Sequence, residues 1–348
     1  MRFNIIWNYL AQENLPMNRF TRLSTLVLSL FLVVLLTACG DPTTTSISTT
    51  VAATGPTSIP KTVANTTNST TSNPAVQIKS VATTTQVGDF VKNVAGNRVE
   101  LVTILKPGVD AHDYEPTSDD SKALAAAQII FTNGVGLESW LDKTIKNSGT
   151  KGVQIVTSDG LKPRPGNSDE EKEGDPHIWF STENAKKMVD NIAAGLTKID
   201  TAGKDIYEAN AKTYKAQIDD MAKQVKILID TIPTDRRKLV TNHDAFGYFA
   251  DQFGIKIVGS VIPSFDSTAE PSAQELKELV DKVKAQKVPA IFTESSINPK
   301  LAEQISKEAR VKIYSNLYGD TLGEAGSDGD TYIKMMLANA NNIAGGLK

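Results

Sequence analysis

The 348-residue chain holds three histidines, His112, His177 and His243, separated by 65 and 66 residues. Each lies in an acid-bearing polar segment: Asp110-Ala111-His112-Asp113-Tyr114-Glu115-Pro116, Asp175-Pro176-His177-Ile178-Trp179, and Asn242-His243-Asp244-Ala245-Phe246. One such histidine is most often a hydrogen-bonded structural residue. Three of three in like settings point to a shared metal, because imidazole suits zinc and other transition metals, and zinc accepts His together with carboxylate. The spacing excludes a zinc finger, a short chelating hairpin and the HExxH arrangement. Ligands this scattered must be clamped between preformed pieces of the fold. The single cysteine, Cys39, excludes an internal disulfide framework, a CxxC redox centre and a multi-thiolate zinc site. No GxSxG, Walker or GxGxxG sequence occurs, and a net charge of −3 offers no broad basic surface for nucleic acid.

The elements around these residues read as α/β. Arg98 to Leu105, Gln128 to Thr132 and Gly152 to Val156 are strand candidates, with helices over Ser118 to Ala127 and Leu137 to Lys146 between them. The pattern returns in strands at Lys238 to Thr241, Ile255 to Val261 and Ala290 to Thr293, with helices over Ala245 to Phe253, Ser272 to Gln286 and Pro299 to Ala309. Strands alternating with helices imply mostly parallel sheets, here in two similar lobes, 81–202 and 233–348. Between them, 203–232 carries Tyr207, Tyr214, Ile218, Met221, Val225, Leu228 and Ile232 on one helical face. This predicts one long rigid helix joining the lobes. Ligands of open α/β sheets sit at the carboxyl ends of strands. His112 and His243 follow strands, which places the expected metal site in the cleft between the lobes.

The segments His112–Pro116 (HDYEP), Asp175–Trp179 (DPHIW), His243–Phe249 (HDAFGYF) and Phe292–Ser296 (FTESS), with Asp320 and Gly329-Asp330-Thr331-Tyr332, resemble the zinc- and manganese-binding solute-binding lipoproteins of bacterial ABC importers. The resemblance covers about residues 80–348. It implies a metal held by one residue from each of four loops, His112, His177, His243 and Asp320. Asp320 is one of 40 acidic residues and is marked only by the resemblance. The resemblance also implies two lobes on a rigid helix, no catalysis, and a monomer serving a membrane permease and its cytoplasmic ATPase. Glu115 and Glu294 are the candidate residues around the ligands. They would also be the candidate bases of a surface zinc hydrolase, the alternative from another class, although four protein ligands close a site to catalytic water. Manganese members usually carry Glu at the third ligand, and this chain has His243. Three imidazoles and a carboxylate favour Zn²⁺, with Mn²⁺ or Fe²⁺ as alternatives and adhesion as a secondary role. Zinc members often carry a His-rich loop before the second ligand; here Pro163 to Gly174 is acidic and free of histidine, which reads as a solvated charge run.

The N-terminus reads as a lipoprotein signal peptide, 1–38. Arg19 and Arg22 precede an uncharged run from Leu23 to Leu36, too short for the roughly 20 residues of a bilayer-spanning helix. Leu36-Thr37-Ala38-Cys39 resembles a lipobox, making Cys39 the lipidated residue and the cell membrane the anchoring site. Translation starts at Met1 or Met17. Residues 39–80, rich in Ser and Thr, read as a disordered tether.

Overall fold

The computed structural model describes residues 77–166 and 171–348. The signal peptide, Cys39 and nearly all of the expected tether lie outside the described residues. The elements run β1 (Ile78–Ala82), α1 (Thr85–Ala95), β2 (Val99–Thr103), α2 (Ser118–Ala126), β3 (Ile129–Thr132), α3 (Leu141–Ser148), β4 (Val153–Val156), α4 (Thr182–Ile199), α5 (Lys204–Asp230), β5 (Lys238–His243), α6 (Gly247–Phe253), β6 (Lys256–Ile262), α7 (Ala273–Ala285), β7 (Ala290–Glu294), α8 (Lys300–Ala309), β8 (Lys312–Leu317) and α9 (Tyr332–Leu347). The tether assignment ran too far. Ile78 to Ser80 already belong to β1, because they pair with Val99 to Leu101 and bury Ile78 and Ser80.

Every recorded strand pair is parallel. The first lobe is one sheet in the order β2-β1-β3-β4; the second has the pairs β5-β6 and β7-β8, with β5 packed beside β7. Polar side chains set where the helices begin. Thr84 caps α1 by accepting from the Val87 amide, Ser181 does the same for α4, and reciprocal Thr117–Asp120 and Ser272–Glu275 pairs open α2 and α7. The left-handed Gly254 (φ 72°) closes α6 and lets the chain turn into β6.

The long helix α5 has 27 residues and buries Tyr207, Ala211, Tyr214, Ile218, Met221, Val225 and Ile229. Their spacing of three and four residues makes a continuous stripe. That stripe packs against α1 and α4 of the first lobe and against α6 and α9. Phe90, Trp179, Phe246, Phe249 and Tyr332, drawn from both lobes, therefore belong to the same apolar cluster as α5. None of the helices among the described residues is long and apolar enough to cross a membrane.

Candidate metal centre

Four strands deliver the four side chains. His243 is the last residue of β5, and His112 lies in the connection from β2 to α2. His177 lies in the connection from β4 to α4, directly before a single 3-10 turn, and Asp320 in the connection from β8 to α9. All lie beyond the carboxyl ends of parallel strands, where loops from two lobes can converge. Each of the four offers one donor atom, and these atoms lie within 4.8 Å of one another. His177 Nε2 is 3.2 Å from His243 Nε2 and 3.2 Å from Asp320 Oδ1; Asp320 Oδ2 is 3.4 Å from His243 Nε2 and 3.5 Å from His112 Nε2.

The rings are oriented from behind. His177 Nδ1 lies 2.8 Å from Asp175 Oδ1, and His243 Nδ1 lies 2.9 Å from Glu294 Oε1. A carboxylate there favours the Nδ1–H tautomer and turns the Nε2 lone pair inward. Two lone pairs then face each other beside a carboxylate, an arrangement that only a cation or a proton satisfies. His112 Nε2 and both Asp320 oxygens have no hydrogen-bond partner of usable geometry although all are buried. The donors thus converge on a common point more than on each other. Tetrahedral zinc with bonds of about 2.0–2.1 Å has donor–donor edges of about 3.3–3.4 Å; the four separations above lie near that figure, within a donor set that spans up to 4.8 Å.

The electrostatics agree with this geometry. Burial raises the cost of a charged Asp320, yet the three imidazoles outweigh it and hold the carboxyl well below its ordinary value. Burial opposes a proton on His177, but Asp175 and Asp320 outweigh it and lift the ring to about 10. His243 is also raised, burial again being overcome by Glu294 and Asp320. Burial dominates at His112 and pushes it below its ordinary value. His112 keeps 7% of its side chain exposed, against none for the other three, and it borders a cavity of about 220 Å³ with Leu137, Glu173, Pro176, Phe265 and Asp266. Solvent reaches the centre from that side.

The structure thus brings together His112, His177, His243 and Asp320, and sets Glu294 behind His243. Glu115 is a correction. It is exposed, with no hydrogen bond to any of the three rings, because the chain past Pro116 is drawn off into the capped start of α2. The residue missed is Asp175. Its signal was present in Asp175-Pro176-His177, where a carboxylate two residues before the ring folds back on both the amide and Nδ1 of His177. The acidic stretch before it is more than a solvated run. Arg164 pairs with Asp251 at 2.7 Å, and Glu171 accepts from Ser264 Oγ and the Phe265 amide across the lobes; 167–170 lie outside the described residues.

The carboxylates behind the rings carry a direct expectation. Glu294→Gln and Asp175→Asn keep a hydrogen-bond acceptor but remove the charge that makes the ring a better donor. Each should weaken Zn²⁺ binding by about 10–100-fold. Calorimetric titration checks this, and unchanged affinity in either variant would remove that carboxylate from the centre.

Residues 81–346 match the family described as zinc-uptake complex component A, periplasmic. The chain is 32% identical over 285 residues to the manganese ABC transporter substrate-binding lipoprotein PsaA of Streptococcus anginosus, covering 78% of this chain and 89% of that one. It is 33% identical over 279 residues to the metal ABC transporter substrate-binding lipoprotein SsaB of Streptococcus sanguinis, covering 78% and 89%. Among solved structures, the periplasmic zinc-binding protein TroA of Treponema pallidum superposes with a TM-score of 0.72 at 31% identity, covering 77% of this chain and 98% of that one. The manganese-bound periplasmic metal-binding protein of Candidatus Liberibacter asiaticus gives 0.70 at 28% identity, covering 78% and 100%. The chain therefore belongs to the zinc-uptake complex component A family, whose members are metal-binding substrate-binding components of ABC importers and not enzymes.

Proposed function

We propose that this protein captures Zn²⁺ outside the cytoplasm through His112, His177, His243 and Asp320 and hands it to the permease of an ABC importer driven by a cytoplasmic ATPase. The observation that carries the reading is the set of three histidines and one carboxylate whose donor atoms lie within 4.8 Å of one another, with no hydrogen-bond partners to compete for His112 Nε2 and Asp320. Lipidation at Cys39 would hold the protein, as a monomer, at the cell membrane while 39–77 gives it reach. Helix α5, packed on both lobes, would keep their spacing nearly fixed, so loading would involve only a small closure.

Manganese is the second reading, because both Asp320 oxygens face the centre and could supply a fifth donor. Oxygen-rich sites suit manganese, and this donor set is mostly nitrogen. Any nitrogen-and-oxygen site ranks Zn²⁺ above Mn²⁺, so affinity alone does not identify the cargo. The deciding measurement is uptake of radioactive zinc and manganese by cells with and without the protein. Zinc uptake should depend on it; dependence of manganese uptake alone would replace the zinc assignment.

A further inference from the structure

Asp320, like His112, has no hydrogen bond that steers it through its own side chain. Asp175 and Glu294 hold the rings of His177 and His243, and Asp110 holds the His112 amide at 2.9 Å. Neither Asp320 oxygen accepts a hydrogen bond. Its place must come from the backbone of residues 319–322, and that backbone is gripped by the opposite lobe. The Leu322 amide donates to Thr85 Oγ1 at 2.8 Å, the Thr85 hydroxyl donates to Gln86 Oε1 at 3.0 Å, and Gln86 Nε2 donates to the Gly319 carbonyl at 3.3 Å. The three bonds join both flanks of Asp320 to the first turn of α1. Thr85, Gln86, Asp320 and Thr321 are all buried.

A second strut runs beside the first. The Gly108 amide donates to Thr321 Oγ1 at 3.2 Å, in the segment that leads to His112. Gly319 is where the loop meets Glu294: a Cβ there would collide with Glu294 Oε2, so only glycine lets the 319 carbonyl sit where Gln86 reaches it. The same loop thus touches the partner of His243 on one side and the Thr85–Gln86 pair on the other. The bonding groups are hydroxyls, an amide side chain and backbone, none of which titrates near neutrality.

We propose that Thr85 and Gln86 are positioning residues that latch the Asp320 loop across the lobes and set how fast the bound metal leaves. This rests on the reading that the four residues hold a metal. The latch holds a ligand that closes on metal already seated among the three rings, so it governs departure more than arrival. Breaking it frees the 319–322 backbone and lets Asp320 withdraw while the three rings stay in place. An importer that extracts the metal then has only neutral hydrogen bonds to open, the three-bond link and the Gly108–Thr321 strut.

The test uses the full chain loaded with Zn²⁺ and rapid mixing with excess chelator, together with the visible spectrum of the Co²⁺-loaded protein, whose intensity reports tetrahedral coordination. Thr85→Val keeps the shape and loses the hydroxyl; Gln86→Met loses the amide. Each should speed release roughly tenfold, as expected for loss of a buried hydrogen bond, with the association rate unchanged and a weakened Co²⁺ band. Thr85→Ser should restore the wild-type rate. In an Asp320→Ala background Thr85→Val should add nothing, since the latch acts through Asp320. Wild-type release from Thr85→Val and Gln86→Met, or an equal added effect without Asp320, would overturn the latch. Should Thr85→Val fail to fold, Thr321→Val removes the second strut and must also speed release, or the latch fails. A wild-type protein without a tetrahedral Co²⁺ spectrum would instead sink the metal-site reading itself.

Discussion

Alanine at His112, His177 or His243 is expected to lower Zn²⁺ affinity by more than about 100-fold in each case, because losing even an outer partner of a ligand costs about 10–100-fold. The metal-free fold should survive, since the apolar cluster formed by α5 and its neighbours lies beneath the centre and does not use the rings. The three variants should differ in stability. His112 is partly exposed and its Nε2 has no partner to strand, so His112→Ala should melt close to the wild type. His177→Ala and His243→Ala leave Asp175 or Glu294 buried without its ring, and a stranded buried acceptor costs about 1–3 kcal/mol. Calorimetric titration and metal-free melting curves read the two effects separately. Near wild-type affinity in any one variant would exclude that residue as a ligand.

Acid should release the metal, and the window should open higher than free histidine implies. Zinc takes the neutral ring, so a proton on any ligand competes with it. In the metal-free protein burial disfavours a proton on His177, but Asp175 and Asp320 lift it to about 10, and His243 is raised as well. At pH 7.5 the metal-free site should therefore carry a proton that binding must expel. Apparent affinity should climb with pH through neutrality, by about tenfold per unit for each proton displaced, and fall steadily on acidification. The same shift makes the metal-free fold favour the proton: His177 adds stability below its unfolded value of about 6.5, and that stability is lost as pH rises toward 10. Titrations in buffers of different ionisation enthalpy count the protons. No proton release at pH 7.5, or a flat affinity between pH 6.5 and 8.5, would contradict the protonated centre.

The histidines were legible because the residue type is rare and the loops follow strands. Asp320 was not, since nothing local separates it from the other acids. Only its resemblance to a known pattern placed it, and only the fold shows that it faces the rings. Asp175 could have been found from its two-residue offset, whereas Glu115, three residues past a ligand, was misleading because the turn into α2 points it outward. The alternation of strands and helices gave most elements within a few residues. It passed over β1, whose five residues adjoin a Thr-rich tract, and α1, whose start lies in that tract. The helices α4 and α9 were also passed over: α9 is apolar on several faces, which blurs the periodicity that a one-sided helix shows, whereas α4 carries a regular stripe at Ala185, Met188, Val189, Ile192 and Leu196 that the reading left unused. The edge strand β8 is short and half exposed, with no continuous apolar run. The Thr85–Gln86 bonds join residues more than 230 positions apart and have no local trace at all.

Helix α5 has a consequence for how the molecule comes apart. Its stripe is covered from both lobes at once, so neither lobe can open without uncovering part of that stripe. Residues 78–347 should therefore unfold in one cooperative step, not as two independent halves. A ligand that binds only the intact form then stabilises every segment in proportion to its concentration over its dissociation constant. Saturating zinc should slow proteolytic cutting in regions far from the centre, such as α7 and α8, as strongly as in the loop at Asp320. Pulse proteolysis with and without metal would show this, and protection confined to the loops would mean that the lobes unfold separately. To a protease in the envelope, the emptied protein would then be the weaker one along its whole length, so metal scarcity itself would shorten the lifetime of the carrier.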